Sequence, residues 1–248
     1  MLAITGGKGG CGKTTTALGI GRALDADALV VDADWDLPDL HALAGVDRGW
    51  TDRPDAAAHG AHGIDGTDGA DSAVVDSAAA ARRVSDGVAV LPAPERSSER
   101  TGPDLQDVES VLAAARAFDG TVLVDCPAGA APDAVAPLRA ADAALLVAEP
   151  CAATLRDAAK TAAMARAVGT PVVGAVLTRA TAVPAGVDAA LNCPVLGRVP
   201  RAPPPVLESA AVAAAYRRVG STLGTAASTE GGDNYPISGE NGYAGQPR

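Results

Sequence analysis

The strongest constraint on this chain is a glycine-rich run seated between an apolar segment and a helical one. Residues Gly7 to Thr15 read G-K-G-G-C-G-K-T-T. Leu2-Ala3-Ile4-Thr5 before it suits a short buried strand, and Thr14 to Leu24 after it places Ala17, Leu18, Gly21 and Leu24 at helical spacing. Strand, glycine loop and helix are the context of the phosphate-binding pattern G-x-x-x-x-G-K-[ST], with Gly7, Gly12, Lys13 and Thr14 in its fixed places. The glycines Gly7, Gly9, Gly10 and Gly12 let the backbone curl, so that successive N–H groups, that of Cys11 among them, face phosphate oxygens at a helix N-terminus. In that pattern Lys13 reaches the β- and γ-phosphates, and the Thr14 hydroxyl sits on Mg²⁺.

Composition makes the run stand out further. The chain holds only three lysines, Lys8, Lys13 and Lys160, among 20 basic residues, and two of the three lie five residues apart in this loop. The formal net charge is -10. A solvated acidic surface of this kind disfavours nonspecific contact with nucleic acid or anionic lipid, and scarce lysine with abundant Asp and Ala resembles the composition of proteins from salt-adapted organisms. Chain length accommodates one large α/β domain. No apolar stretch approaches the ~18 residues of a spanning helix, and the first residues enter a strand without a signal-peptide pattern. Cys11, Cys126, Cys151 and Cys193 form no C-x-x-C pair, which favours reduced thiols and a cytoplasmic setting over disulfides or zinc.

Apolar runs alternate with alanine-rich helical stretches, the signature of parallel strands joined by helices in a doubly wound sheet. Strands are expected at Leu2–Thr5, Ala28–Asp32, Val88–Leu91, Val122–Asp125, Ala143–Ala148, Val172–Leu177 and Val195–Gly197. Helices are expected at Thr14–Leu24, Leu105–Ala117, Ala131–Arg139, Ala153–Val168, Val187–Leu191 and Leu207–Leu223. The domain is expected to span residues 1–224. Residues 48–72, rich in Gly, Asp, Ala and His, read as a flexible surface loop within it, and residues 225–248 as a disordered polar tail.

Three carboxylates stand where such a sheet binds its ligands, at the carboxyl ends of strands. Asp32 and Asp34 end V-V-D-A-D, and Asp125 ends V-L-V-D before the turn Cys126-Pro127-Ala128-Gly129. Phosphoryl transfer needs a strand-end Asp near the metal and a group that orients the attacking water. Asp125 suits the first task and Asp34 the second.

With these residues in view, K-G-G-C-G-K-T-T resembles the deviant phosphate loop of the MinD/ParA class of ATPases, K-G-G-x-G-K-[ST]-[ST]. D-A-D-W-D-L-P-D-L-H resembles the first switch of that class and V-D-C-P-A-G its second. The resemblance runs over about residues 1–223 and is nearest the MinD side, since no DNA-binding extension is visible. It implies a P-loop NTPase fold and an ATPase that takes ATP with Mg²⁺ and pairs with a second copy when ATP is bound. Slow hydrolysis would time an interaction with a protein partner, as in positioning the division site or other machinery. It further implies that Lys8 crosses the dimer interface to the partner's phosphates, with Lys8, Lys13 and Asp34 serving catalysis. Thr15 holds the α-phosphate, Thr14, Asp32 and Asp125 surround the metal, and the segment after Val199-Pro200, Pro200 included, contacts the base. Thr178-Arg179 stands where the class usually has Asn-Arg, the Asn of which helps read adenine. The short amphipathic membrane-gripping helix of many MinD proteins is missing, so neither direct membrane contact nor nucleic-acid binding is expected. An Mrp-type iron–sulfur carrier and a non-hydrolysing nucleotide-dependent scaffold are the alternative readings.

Overall fold

The structure is a computed structural model that describes residues 1–50, 80–95, 105–129 and 131–229, with side chains to residue 223. Eight strands form one sheet in the order β3-β4-β2-β5-β1-β6-β7-β8. They are β1 (Leu2–Thr5), β2 (Ala28–Asp32), β3 (Arg82–Ser85), β4 (Val88–Leu91), β5 (Thr121–Asp125), β6 (Ala143–Ala148), β7 (Val172–Leu177) and β8 (Val195–Arg198). Every neighbouring pair is parallel except β3 with β4. The helices are α1 (Lys13–Gly21), α2 (Leu40–Ala44), α3 (Leu105–Ala115), α4 (Pro132–Ala140), α5 (Ala152–Ala167), α6 (Val187–Leu191) and α7 (Ala210–Thr229), with a 3-10 turn at Val206–Glu208.

The inner strands are apolar on both sides because both faces are covered, as a parallel sheet requires. Alternate residues feed two cores. Ile4, Val30, Val90, Leu123 and Leu145 face α1 and α7, and Tyr216 packs among them. Ala3, Leu29, Val31, Val122 and Val124 pack on the opposite face with Val108, Val111 and Leu112 of α3. A third cluster joins Leu146, Ala175 and Leu177 to Ala158 and Ala162 of α5 and Leu191 of α6. Tyr216 lies so close to α1 that a Cβ at Gly19 would run into its ring, and its hydroxyl pairs with Thr16 Oγ1 at 3.2 Å. Burial raises the Tyr216 pKa to about 12, so the phenol stays protonated and can share that bond.

Several expectations are corrected. The edge strand β3 carries no apolar run. It exists because Asp86-Gly87, with Gly87 at φ 73, closes a two-residue hairpin onto β4. β3 is the sheet edge among the described residues, and its Arg82 and Arg83 place charge there, which disfavours pairing with another chain. Helix α2 is a single short turn ended by Gly45 at φ 71. The last helix continues to Thr229, five residues past the expected domain boundary at 224. Trp50, assigned to the flexible loop 48–72, is buried and donates Nε1 to Pro92 O at 2.9 Å. The rest of that loop from residue 51, and the tail from residue 230, lie outside the described residues. Among the described residues, no helix is long and apolar enough to cross a membrane.

Strand order reverses at β1, with β5, β2 and β4 on one side and β6, β7 and β8 on the other. Such a switch point opens a crevice at the carboxyl ends of the strands, and the glycine loop leaves β1 directly into it.

Candidate nucleotide-binding site

The loop is set by two constraints on its glycines. Gly12, at φ 93, takes the left-handed conformation that starts α1, and Thr16 N donates to its carbonyl at 2.9 Å. Gly7 passes so close to the Asp157 backbone of α5 that a Cβ there would collide with it. The Gly9–Gly10 crest is open among the described residues, none of which has an atom near a Cβ position at either glycine. Lys8 projects from this crest into solvent, whereas Lys13 is 7% exposed at the start of α1. The two lysines are therefore held differently, one on the rim and one beneath it.

Below the loop, β2 and β5 bring Asp32 and Asp125 into register as partners. Both are fully buried. Asp32 Oδ1 accepts Asp34 N at 3.1 Å and Oδ2 accepts Leu40 N at 3.4 Å, so this carboxylate anchors the loop that follows β2 at both ends. Among the described residues, Asp125 Oδ1 has no hydrogen-bond partner. Burial raises both pKa values, that of Asp125 to about 7, and the charge of Asp125 pushes Asp32 higher still. The Lys13 ammonium and the Thr14 hydroxyl oppose this at Asp125. Asp34 is half-buried, its pKa is raised by burial, and its Oδ1 accepts Leu37 N at 3.2 Å.

An unpartnered buried carboxylate oxygen beside a hydroxyl and a second carboxylate is a set of hard oxygen donors, the chemistry Mg²⁺ selects. The site thus fits the metal that Thr14, Asp32 and Asp125 are expected to hold. Asp39, which the sequence reading passed over, belongs to the same cluster. It accepts the Thr14 hydroxyl at 2.7 Å, and its charge reaches Asp32, Asp34 and Asp125. Its position just before α2, five residues past Asp34, was the available signal.

The buried pair makes a prediction for the nucleotide-free, metal-free protein. The ordinary Asp pKa is 3.8 and that of folded Asp125 is about 7. Between those values the folded state binds more protons than the unfolded state, so stability falls as pH rises through the window. From pH 5.5 to pH 8 the expected loss from Asp125 is on the order of 2 kcal/mol. Denaturant midpoints in EDTA measure it, and Asp125→Asn should flatten the dependence. A slope of the opposite sign, or one that Asp125→Asn leaves unchanged, would refute the assignment.

A cavity of about 320 Å³ opens beside the loop, walled by Cys11, Gly12, Thr15, Val199, Pro200 and Arg201 among others. Thr178 and Arg179 also line it, and both bond to the adjoining loop: Thr178 Oγ1 donates to Cys11 O and Arg179 Nη1 to Gly10 O. The structure therefore gathers Gly7 to Thr15, Asp32, Asp34, Asp125, Thr178, Arg179 and Pro200 around one crevice. Trp35 packs inward, its Nε1 on Asp32 O at 3.0 Å and its ring edge-on to Trp50 with centroids 6.1 Å apart. The four cysteines are free thiols, and burial raises the pKa of Cys11 and Cys126.

Comparison with known proteins agrees with this geometry. An uncharacterized ATP-binding protein of Methanocaldococcus jannaschii is 29% identical over 210 residues, covering 82% of this chain and 74% of the relative. The septum site-determining protein MinD of Pyrococcus horikoshii, solved with Mg-ADP, shares the fold at a TM-score of 0.69 and 22% identity, over 92% of this chain and 97% of that one. Cobyrinic acid a,c-diamide synthase of Mycobacterium smegmatis, solved with ADP and magnesium, shares it at a TM-score of 0.65 and 22% identity, over 92% and 95%. With its two-lysine phosphate loop at the switch point of a matching sheet, and with residues 2–204 matching the family as a whole, the chain belongs to the CobQ/CobB/MinD/ParA nucleotide binding domain family.

Proposed function

We propose that the chain is a MinD-like ATPase that works as a switch. It binds ATP with Mg²⁺, pairs with a second copy across the nucleotides, and hydrolyses slowly to time its hold on a protein partner. The service of such a switch is the positioning of cellular machinery, cell division among the candidates. The observation that carries this reading is the unequal placement of the loop lysines, Lys13 buried at the start of α1 and Lys8 exposed on the open crest. A lysine that served only its own nucleotide would gain nothing from facing away from the fold.

Each residue has a task in this reading. The loop amides and Lys13 bind the phosphates, and positive charge fixed in a partly desolvated site is worth more there than in water. Thr14, Asp32 and Asp125 would hold Mg²⁺, which would screen phosphate charge when bound. Asp34 accepts a hydrogen bond from the attacking water and orients it in line with the γ-phosphate. Asp32, through its bonds to Asp34 N and Leu40 N, keeps that carboxylate in place. The cavity walled by Val199, Pro200 and Arg201 takes the base.

Light scattering after size exclusion, with a slowly hydrolysed ATP analogue, tests the pairing. The wild type should elute as a dimer, and Lys8→Ala should bind the analogue yet remain a monomer. Lys8→Arg should do the same, because a planar guanidinium does not replace a compact ammonium in a crowded phosphate site. If Lys8→Arg dimerises and turns over normally, Lys8 is a generic attracting charge and the paired-subunit reading loses its support.

A further inference from the structure

Two consecutive residues at the end of β7 take the carbonyls of two consecutive loop residues. Thr178 Oγ1 donates to Cys11 O at 2.6 Å, with Ala148 O further off at 3.4 Å, and Thr178 N donates to Ala148 O at 2.8 Å. Arg179 Nη1 donates to Gly10 O at 2.8 Å and forms an ion pair with Glu149, the residue after β6. The carbonyl and amide of a trans peptide point in opposite directions. Holding the Gly10 and Cys11 carbonyls toward β7 therefore turns the Cys11 and Gly12 N–H groups the other way. Those are two of the amides that a loop of this kind offers to phosphate.

The backbone at Arg179 adds a second observation. It lies at φ 51, in the left-handed region, which a long side chain with a Cβ adopts at a cost and glycine adopts freely. Asn192 is the other described non-glycine residue there, and it ends α6, where Asn is a routine choice. Arg179 ends no helix. What opposes the strain is the reach of its guanidinium to Gly10 O and Glu149. Thr178 is buried against the loop, so its one hydroxyl proton is already committed.

We propose that Thr178 and Arg179 are positioning residues that clamp the crest of the phosphate loop, presetting its amides for the nucleotide phosphates, and that neither reads the base. The clamp rests on the nucleotide-binding reading above and adds to it the element that fixes the loop before ligand arrives. Glu149 orients the arginine and completes the clamp from β6. Its action is on the phosphate end of the ligand, so its loss weakens all nucleotides alike.

Two variants separate this role from base reading and from plain structural support. Thr178→Val removes the hydroxyl at nearly constant shape, and Arg179→Gly removes the guanidinium while relieving the backbone. Binding of Mg-ADP by calorimetry, binding of Mg-GDP by competition, and the denaturant midpoint are measured for each. Both variants should bind ADP about tenfold more weakly, the scale of a lost hydrogen bond to a charged or buried group. The ratio of ADP to GDP affinity should stay at the wild-type value, and Arg179→Gly should keep or raise the midpoint. A changed ratio in Thr178→Val would make Thr178 a base reader. An affinity loss in Arg179→Gly that tracks a lowered midpoint would reduce the arginine to structural support, and unchanged ADP affinity in both variants would overturn the clamp. The underlying reading fails separately: it falls if the wild type binds no ADP, or if Lys13→Ala binds as well as the wild type.

Discussion

Lys13→Ala should abolish ATP binding, with affinity reduced by at least ~10²-fold at the salt concentration the protein prefers. Lys13 is buried among Asp34 and Asp125, and its charge is already felt by both carboxylates. Its ammonium is thus preset for phosphate, and the cost of ordering a long side chain has been met in the fold. Removing it leaves the carboxylates of the crevice facing a triphosphate with no opposing cation in the α1 turn. Titration calorimetry on the folded variant, checked for an intact melting transition, reads the effect. Affinity within a few-fold of the wild type would sink the site.

Asp34→Ala should have the converse signature. ATP affinity should stay nearly intact while turnover falls by ~10²-fold or more, the scale of losing a positioned catalytic group. Asp34 is half-buried and its pKa is raised by burial, so its carboxylate is a better acceptor for a water proton than an exposed aspartate would be. Its backbone N–H, held by Asp32, survives the substitution, and the loop therefore keeps its path. Single-turnover phosphate release separates the two quantities. Normal release per bound ATP in Asp34→Ala would remove the residue from the chemistry and leave it a role in shaping the loop.

Much of this architecture could be read from local chemistry. Buried parallel strands announce themselves by continuous aliphatic runs such as Ala143–Ala148, and the loop by glycines whose spacing admits few other folds. What escaped depended on contacts between distant residues or on elements too short to carry a period. Strand β3 is R-R-V-S, half exposed, and only the Asp86-Gly87 turn behind it pointed to a hairpin. Helix α2 has five residues, too few to establish a helical period, and the carboxylate of Asp39 before it is spent on Thr14 rather than on a cap. Trp50 was hidden by its polar surroundings, although a lone indole in such a stretch has little reason to face water. The turn of Thr178 and Arg179 toward Gly10 and Cys11 spans more than 160 residues of sequence and left no local mark.

The edge-on pair of Trp35 and Trp50 has a consequence of a spectroscopic kind. These are the two tryptophans of the whole chain, and the first follows Asp34 directly, tethered to the carbonyl of Asp32. Emission excited at the red edge of indole absorption therefore arises wholly beside the carboxylates of the crevice, from two rings close enough to exchange excitation. A shift in the Asp32–Asp34 segment alters their angle, their separation or the polarity around them. The protein thus carries a built-in optical probe of the Asp32–Asp34 segment, with the remainder of the fold dark at that wavelength.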